Sequence, residues 1–178
     1  MGQCRNGVPH GEGELVYERH GGVYRGQFRN GIAQGQGRID FDNGNYSEGN
    51  FKGEFLHGPG VKQLYTARTI LKGTFYNGNL YGHGAKTVYE DREMTVPMYI
   101  MEGEFVNSQP HGHVRVERHH GVVYAPGYSQ DMIANPIEGL HKRNYMQIYE
   151  GNYSMGVREG KGVMLFRYQE EAHISIRS

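Results

Sequence analysis

The chain has 178 residues, with 28 glycines, 14 tyrosines and 7 phenylalanines, and its 19 lysines and arginines balance 19 acids. Zero net charge excludes the basic surplus of a non-specific nucleic-acid binder, the single Cys4 excludes an internal disulfide and fits a reducing compartment, and the aromatic content excludes a disordered tract. Hydrophobic residues make up 37%, too few for a thick core but enough for one sheet; no run nears the ~18 apolar residues of a membrane span, and no signal peptide is visible.

Residues 1–17 enter a pattern part-way through: Asn6-Gly7 is a turn pair, and Gly11, Gly13, Leu15 and Tyr17 alternate as a return strand. Met1-Gly2 raises N-myristoylation, but Asn6 stands where that signal wants Ser or Thr, and Cys4 reads as a free thiol. The pattern is clearest next. Tyr24, Gly26 and Phe28 alternate with period two, so they share one face of a strand. Asn30-Gly31 turns the chain, because both residues tolerate positive φ. Gly35, Gly37, Ile39 and Phe41 then return on one face, and Asp42-Asn43-Gly44 turns again. Glycine inside a strand marks close approach of another group; here the missing side chains, that of Gly35 among them, leave room for neighbouring rings.

The unit recurs. Residues 45–65 carry it with a slip, since Tyr46 to Gly49 is one residue long; either a bulge absorbs it or Ser47 replaces the aromatic, with Phe51 following and Glu54 in a turn-glycine place. Leu71, Gly73, Phe75, Gly78, Gly82 and Gly84 restore it. The next interval is six residues longer, and the extra lies in Glu90–Pro97, a charged, exposed turn that is either a tolerated insertion or a functional loop. Gly103 and Phe105 resume the unit, with Ser108 and Val114 in glycine places. Residues 121–148 are a degenerate stretch: Tyr124 and Tyr128 keep the pattern while Asn135 holds a glycine place, and a short helix is expected at Asp131–Ala134. Tyr149, Gly151, Tyr153, Gly156, Gly160 and Gly162 form the last good unit. Ala172, Ile174 and Ile176 then alternate as a terminal strand.

With Gly11, Gly35, Gly58, Gly82, Gly112 and Gly160 as markers and Asn135 between the last two, the steps are 24, 23, 24, 30, 23 and 25 residues. A near-constant interval of this kind is a repeat architecture. The pattern Y-x-G-x-[FYW]-x-x-G-x-x-x-G-x-G resembles the MORN repeat. Each unit is a β-hairpin, marginal alone and dependent on its neighbours. The expected fold is all-β: an elongated, twisted, single antiparallel sheet of about seven consecutive hairpins, one domain over 1–178 with a partial first repeat at 1–17.

Chemistry is thin. His10, His57 and His111 occupy one slot of different repeats, roughly 10 Å apart at two strand spacings, too far for one ion with Zn–N bonds of about 2.0 Å. His111-x-His113 and His119-His120 would approach each other across a hairpin, but nothing completes a ligand set. The glycines do not lead from strand to helix, so no phosphate loop is supported, and no nucleophile–base constellation has convincing context. No metal, cofactor, nucleic acid or enzymatic activity is therefore expected.

The expected function is a non-catalytic protein–protein interaction scaffold. The resemblance implies a structural subunit of a cytoskeletal assembly, in particular of cilia or flagella, as in radial spoke heads of the axoneme. The expected partners are other proteins of a larger complex, joined by strand addition at sheet edges, or a second copy forming a homodimer. The contact surfaces expected are the aromatic face (Tyr24, Phe28, Phe51, Phe75, Phe105, Tyr149, Tyr153), the 90–97 loop, and the edges, with Ile174 and Ile176 at the C-terminal one. The structural glycines are Gly26, Gly31, Gly35, Gly37, Gly73, Gly78, Gly82, Gly84, Gly151, Gly156, Gly160 and Gly162. The alternatives are a membrane-surface adaptor binding phospholipid, against which neutral charge counts, and the regulatory subunit of an enzyme in another chain.

Overall fold

The computed structural model of the chain describes residues 2–18, 21–120 and 145–168. Thirteen strands follow one another: β1 Cys4–Arg5, β2 Val8–Pro9, β3 Gly11–Tyr17, β4 Gly22–Arg29, β5 Ile32–Phe41, β6 Tyr46–Lys52, β7 Phe55–Leu64, β8 Thr69–Tyr76, β9 Asn79–Tyr89, β10 Pro97–Val106, β11 Gln109–His120, β12 Tyr145–Ser154 and β13 Val157–Tyr168. β1 and β2 make a small hairpin, and β3 to β13 form one open antiparallel sheet of eleven strands in strict chain order. Among the described residues there is no helix.

The register explains the glycines. Gly13, Gly26, Gly37, Gly49, Gly60, Gly73, Gly84 and Gly103 stand opposite one another on successive strands, Val114 continues the row, and Gly151 and Gly162 end it. A stripe almost without side chains thus crosses all eleven strands. Large side chains on either side lie down over it. A Cβ on Gly37 would come within 2.5 Å of the Tyr24 ring, and one on Gly162 within 2.5 Å of the Tyr149 hydroxyl.

The volume over the stripe is filled in two ways. Where Tyr24 covers it, the second residue after the turn is small, Ala33. Where the tyrosine slot holds Ser47 or Leu71, Leu56 and Leu80 take over, reaching to 3.1 Å of a Cβ on Gly60 and 2.9 Å of one on Gly84. The core is this single layer of Tyr24, Phe28, Ala33, Ile39, Phe51, Leu56, Leu71, Phe75, Leu80 and Phe105, continued by Val114, Val116, Tyr149 and Tyr153. Each fully covered large side chain contributes roughly 1.5–3 kcal/mol. Tyr24 packs edge-on to Phe28 and Phe51, with centroids 5.3 and 5.2 Å away. Its hydroxyl donates to the Gln27 carbonyl at 2.9 Å, and burial pushes its phenol up to about 12.

The slip at 46–51 is no insertion. Ser47, 7% exposed, holds the tyrosine slot opposite Ile39 and Lys62, while Tyr46 turns to the other face, under the Arg38 guanidinium at 4.0 Å. The marker glycines have a role that strand alternation hides. In every complete hairpin among the described residues the return strand carries two extra residues: Gly26 pairs Gly37, yet Phe28 pairs Ala33, and the same jump recurs after Gly49, Gly73, Gly103 and Gly151. The bulge contains Gly35, Gly58, Gly82, Gly112 or Gly160, with φ of +106°, +115°, +71°, +71° and +68°. Gly35 is therefore required by backbone conformation. A Cβ there meets the Gln27 side chain, and the glycine that makes room for a ring is Gly37.

The turns follow their sequences. Asn6-Gly7, Asn30-Gly31 and Asn77-Gly78 have both φ values positive, as a type I′ turn requires. At Gly53-Glu54 only the glycine is positive, at +66°, which is the II′ arrangement. Asn107-Ser108 repeats I′ with a serine at φ +63°. The turns also stack: the amides of Gly31, Gly53, Gly78, Ser108 and Gly156 donate to the carbonyls of Pro9, Ala33, Leu56, Leu80 and Pro110, all at 2.8–2.9 Å. Each hairpin tip is thereby bonded to the previous one.

Candidate interaction surfaces

The seven aromatics expected to meet a partner are the core. Tyr24, Phe28, Phe51, Phe75, Phe105, Tyr149 and Tyr153 are between 0 and 8% exposed, and the Tyr24, Phe28 and Tyr149 rings lie against the stripe glycines. Their side chains hold the repeats together and present little surface to another molecule. Ile174, Ile176 and the rest of the terminal strand lie outside the described residues. So do Asn135, the expected helix at Asp131–Ala134 and all of 121–144, while 145–148 belong to β12.

What is exposed and apolar sits at the hairpin tips. Val8, Ile32 and Phe55 fill the same place, just after the turn, in three consecutive repeats, and are 41, 57 and 55% exposed. The next turn abuts this row: a Cβ on Gly31 would stand 3.1 Å from Val8, and one on Gly78 3.2 Å from Phe55. Beside it, Tyr76 and Tyr81 meet edge-on with centroids 6.4 Å apart, and the His57 ring lies tilted against Tyr76 at 5.1 Å. With Gly58, Gly82 and Asn107 they line an open groove of about 720 Å³. Alternation reveals the face of such residues, whereas the tip row appears only once the turns are aligned.

The polar face carries a charge ladder. Arg25 pairs Glu14 at 2.8 Å and reaches Asp40 at 3.9 Å; Arg38 pairs Asp40 at 2.8 Å and Glu48 at 2.9 Å. These side chains are largely solvated, so each pair is worth little, about 0–1 kcal/mol. At one end of the sheet Leu15 and Val16 of β3 are exposed, where their counterparts in later repeats gain a further strand.

The long turn is ordered by Asp91. Both Asp91 carboxylate oxygens accept the Thr95 amide at 3.0–3.1 Å, one accepts the Thr95 hydroxyl at 2.7 Å and the other the Val96 amide at 2.8 Å. These donors, the Thr95 hydroxyl first, hold the carboxyl down at about 2. The tip, Arg92 and Glu93, is exposed.

The histidines are not arranged as the sequence implied. His111, His113, His119 and His120 all belong to β11, so the two pairs are separated along one strand by about 20 Å at ~3.3 Å per residue and do not meet across a hairpin. His113 instead faces Glu150 at 3.1 Å. Among the described residues no three His, Cys, Asp or Glu side chains converge as metal ligands.

Comparison with known proteins agrees with this architecture. The family model described as the MORN repeat matches residues 1–21, 24–46, 102–113 and 149–167. A search of curated proteins gave no significant match. The unmatched span 47–101 contains the repeats in which Ser47 and Leu71 replace the first aromatic, although β6 to β9 keep the register of their neighbours. MORN repeats are a non-catalytic repeat type that generally takes part in protein–protein or membrane–lipid interactions. With four matched segments and one sheet of consecutive hairpins, the chain is a MORN-repeat protein.

Proposed function

We propose that this chain is a non-catalytic scaffold that joins other proteins into a larger assembly. The observation that carries this reading is the tip row: Val8, Ile32 and Phe55, exposed in equivalent places of consecutive repeats, continue into Tyr76 and Tyr81. Contiguous exposed apolar surface of this kind marks interaction sites. Gln3 already bonds the β3 edge at Glu12, and the stretch beyond it, with Leu15 and Val16 exposed, is a second place for a partner strand. The resemblance to MORN proteins of radial spoke heads supports a cytoskeletal assembly, and an axonemal one first. Pull-down from the native source with mass spectrometry tests this. Specific protein partners lost on Ile32→Glu plus Phe55→Glu are the expected result; partners retained in full by that variant would overturn the tip row.

The second reading is a membrane-surface adaptor, favoured by the lipid interactions of other MORN repeats. The balance of 19 basic and 19 acidic residues counts against it, because anionic leaflets recruit clusters of basic residues. Co-sedimentation with phosphatidylserine vesicles separates the two.

A further inference from the structure

On the polar face Arg25 and Arg38 sit in the charge ladder, and Arg115 pairs Glu117. Arg118 of β11 and Arg158 of β13 lie on the core face and have no carboxylate partner among the described residues. Both line one open concavity of about 450 Å³, together with Tyr99, Met101, Val116, Gln147 and Tyr153. Among the described residues no acid lines it. The comparable hollow near the N-terminus, between Arg5 and Arg29, includes Glu12.

Both guanidiniums are positioned in advance. Arg158 stands in the slot that holds Ala33 in the second repeat. From there it lies over the Tyr149 ring, 4.0 Å from the centroid, and its Nε donates to the Tyr153 hydroxyl at 3.2 Å. This leaves the two terminal nitrogens, which form the fork that binds a carboxylate end-on. Arg118 is directly opposite Tyr99 on one side and Gln147 on the other, with its Cζ 5.9 Å from the Tyr99 centroid. Stacking on rings restricts the side chains before a ligand arrives, so less entropy is lost on binding. The half-buried Tyr99 and Met101 add a small apolar edge.

We infer that this concavity docks an acidic segment of a protein partner, with its carboxylates on Arg118 and Arg158 and an adjoining apolar side chain against Tyr99 and Met101. A volume near 450 Å³ suits a few side chains. Two cations match an acidic peptide better than a membrane, which would ask for a cluster of about 4–8 basic residues. The inference rests on the scaffold reading, and its test separates the two.

The probe is a fluorescein-labelled hexapeptide of alternating glutamate and leucine, read by anisotropy against the full chain. Its glutamine counterpart, inorganic phosphate as competitor and phosphatidylserine vesicles complete the set. The expected result is binding of the acidic peptide at least ~10-fold tighter than the glutamine one, weakened ~10-fold by salt or by Arg118→Gln plus Arg158→Gln, and unchanged by Arg38→Gln on the opposite face. Arg118→Glu gives the same loss without touching the Tyr149–Tyr153 contacts of Arg158, so a folding defect in the double variant does not decide the matter. Equal binding of the two peptides, undiminished binding by Arg118→Glu, or vesicle binding that the arginine variants abolish while peptide binding persists would each overturn the site. Partners captured equally by parent and Arg118→Glu would overturn the site and leave the scaffold standing; capture of no specific partner by the parent would remove the scaffold.

Discussion

A methyl group added at Gly37 would lie 2.5 Å from the Tyr24 ring, a ring that is fully buried. Something must shift, and the ring is held by two edge-on neighbours and a hydroxyl bond. Overpacking of this kind costs about 1–3 kcal/mol. Gly160 is the opposite case: its φ is +68°, but a Cβ there would touch nothing within 4 Å. Gly37→Ala is therefore expected to lower the thermal midpoint by several degrees, while Gly160→Asn, which accepts that φ, leaves it nearly unchanged. Melts with the order reversed would refute the division between steric and conformational glycines. Large-to-small changes act through the same layer. Phe28→Ala and Tyr153→Ala should each cost ~3 kcal/mol or more in denaturant titrations; values below ~1 kcal/mol for both would mean the layer is not a packed core. At Ser108 two effects oppose each other. Its φ of +63° costs about 1–2 kcal/mol relative to glycine, yet its hydroxyl accepts the Leu80 amide at 3.0 Å. Leaving that half-buried amide unpaired costs about 1–3 kcal/mol. Ser108→Gly is accordingly expected to be neutral or destabilising, and a clear rise in melting temperature would show that backbone strain outweighs the hydroxyl bond.

At the scale of the element, the hairpin was largely readable and the bulge was not. Period-two alternation at Tyr24, Gly26 and Phe28 with Asn30-Gly31 behind it fixes two strands and a turn. The two extra residues around Gly35 leave no local trace, because a bulge is defined by the partner strand, and Gly35 and Gly37 look alike in sequence. The same limit explains the aromatic face: alternation tells which side Phe51 and Phe75 occupy, but their burial depends on Leu56, Leu80 and the neighbouring repeats. Arg158 was missed for a related reason, since its kinship with Ala33 emerges only when bulges and turns are aligned. The 90–96 turn makes a separate prediction. Its Asp91 carboxyl is held at about 2, below its ordinary 3.8. A depressed carboxyl stabilises the ordered turn fully above the ordinary value, and that contribution is lost as pH falls through the lowered one. The Thr95 and Val96 amides should therefore keep their hydrogen-bonded NMR shifts at pH 5 and lose them between about pH 4 and 2. Shifts that stay constant down to pH 2 in a still-folded protein would refute the role of Asp91.

For the whole molecule, chain order and spatial order coincide. Each strand from β4 to β12 bonds only to the strands before and after it, and the turn-to-turn amides repeat the same nearest-neighbour logic. Stability is then a sum of local couplings, and fraying starts from the ends. Hydrogen exchange is expected to be slowest in β6 to β9 and to quicken toward β3; uniform protection through the sheet would show a longer-range coupling. The same order has a mechanical side. Backbone hydrogen bonds of a sheet run across the strands, hence along the length of this one, roughly 50 Å for eleven strands at about 4.8 Å each. Tension between the first and last strands meets those bonds in sequence and peels one hairpin at a time. Each peeled unit of about 24 residues frees roughly 80 Å of chain at ~3.4 Å per residue. Between two anchored partners this protein would behave as a shock absorber, lengthening in steps and re-zipping when the load is released.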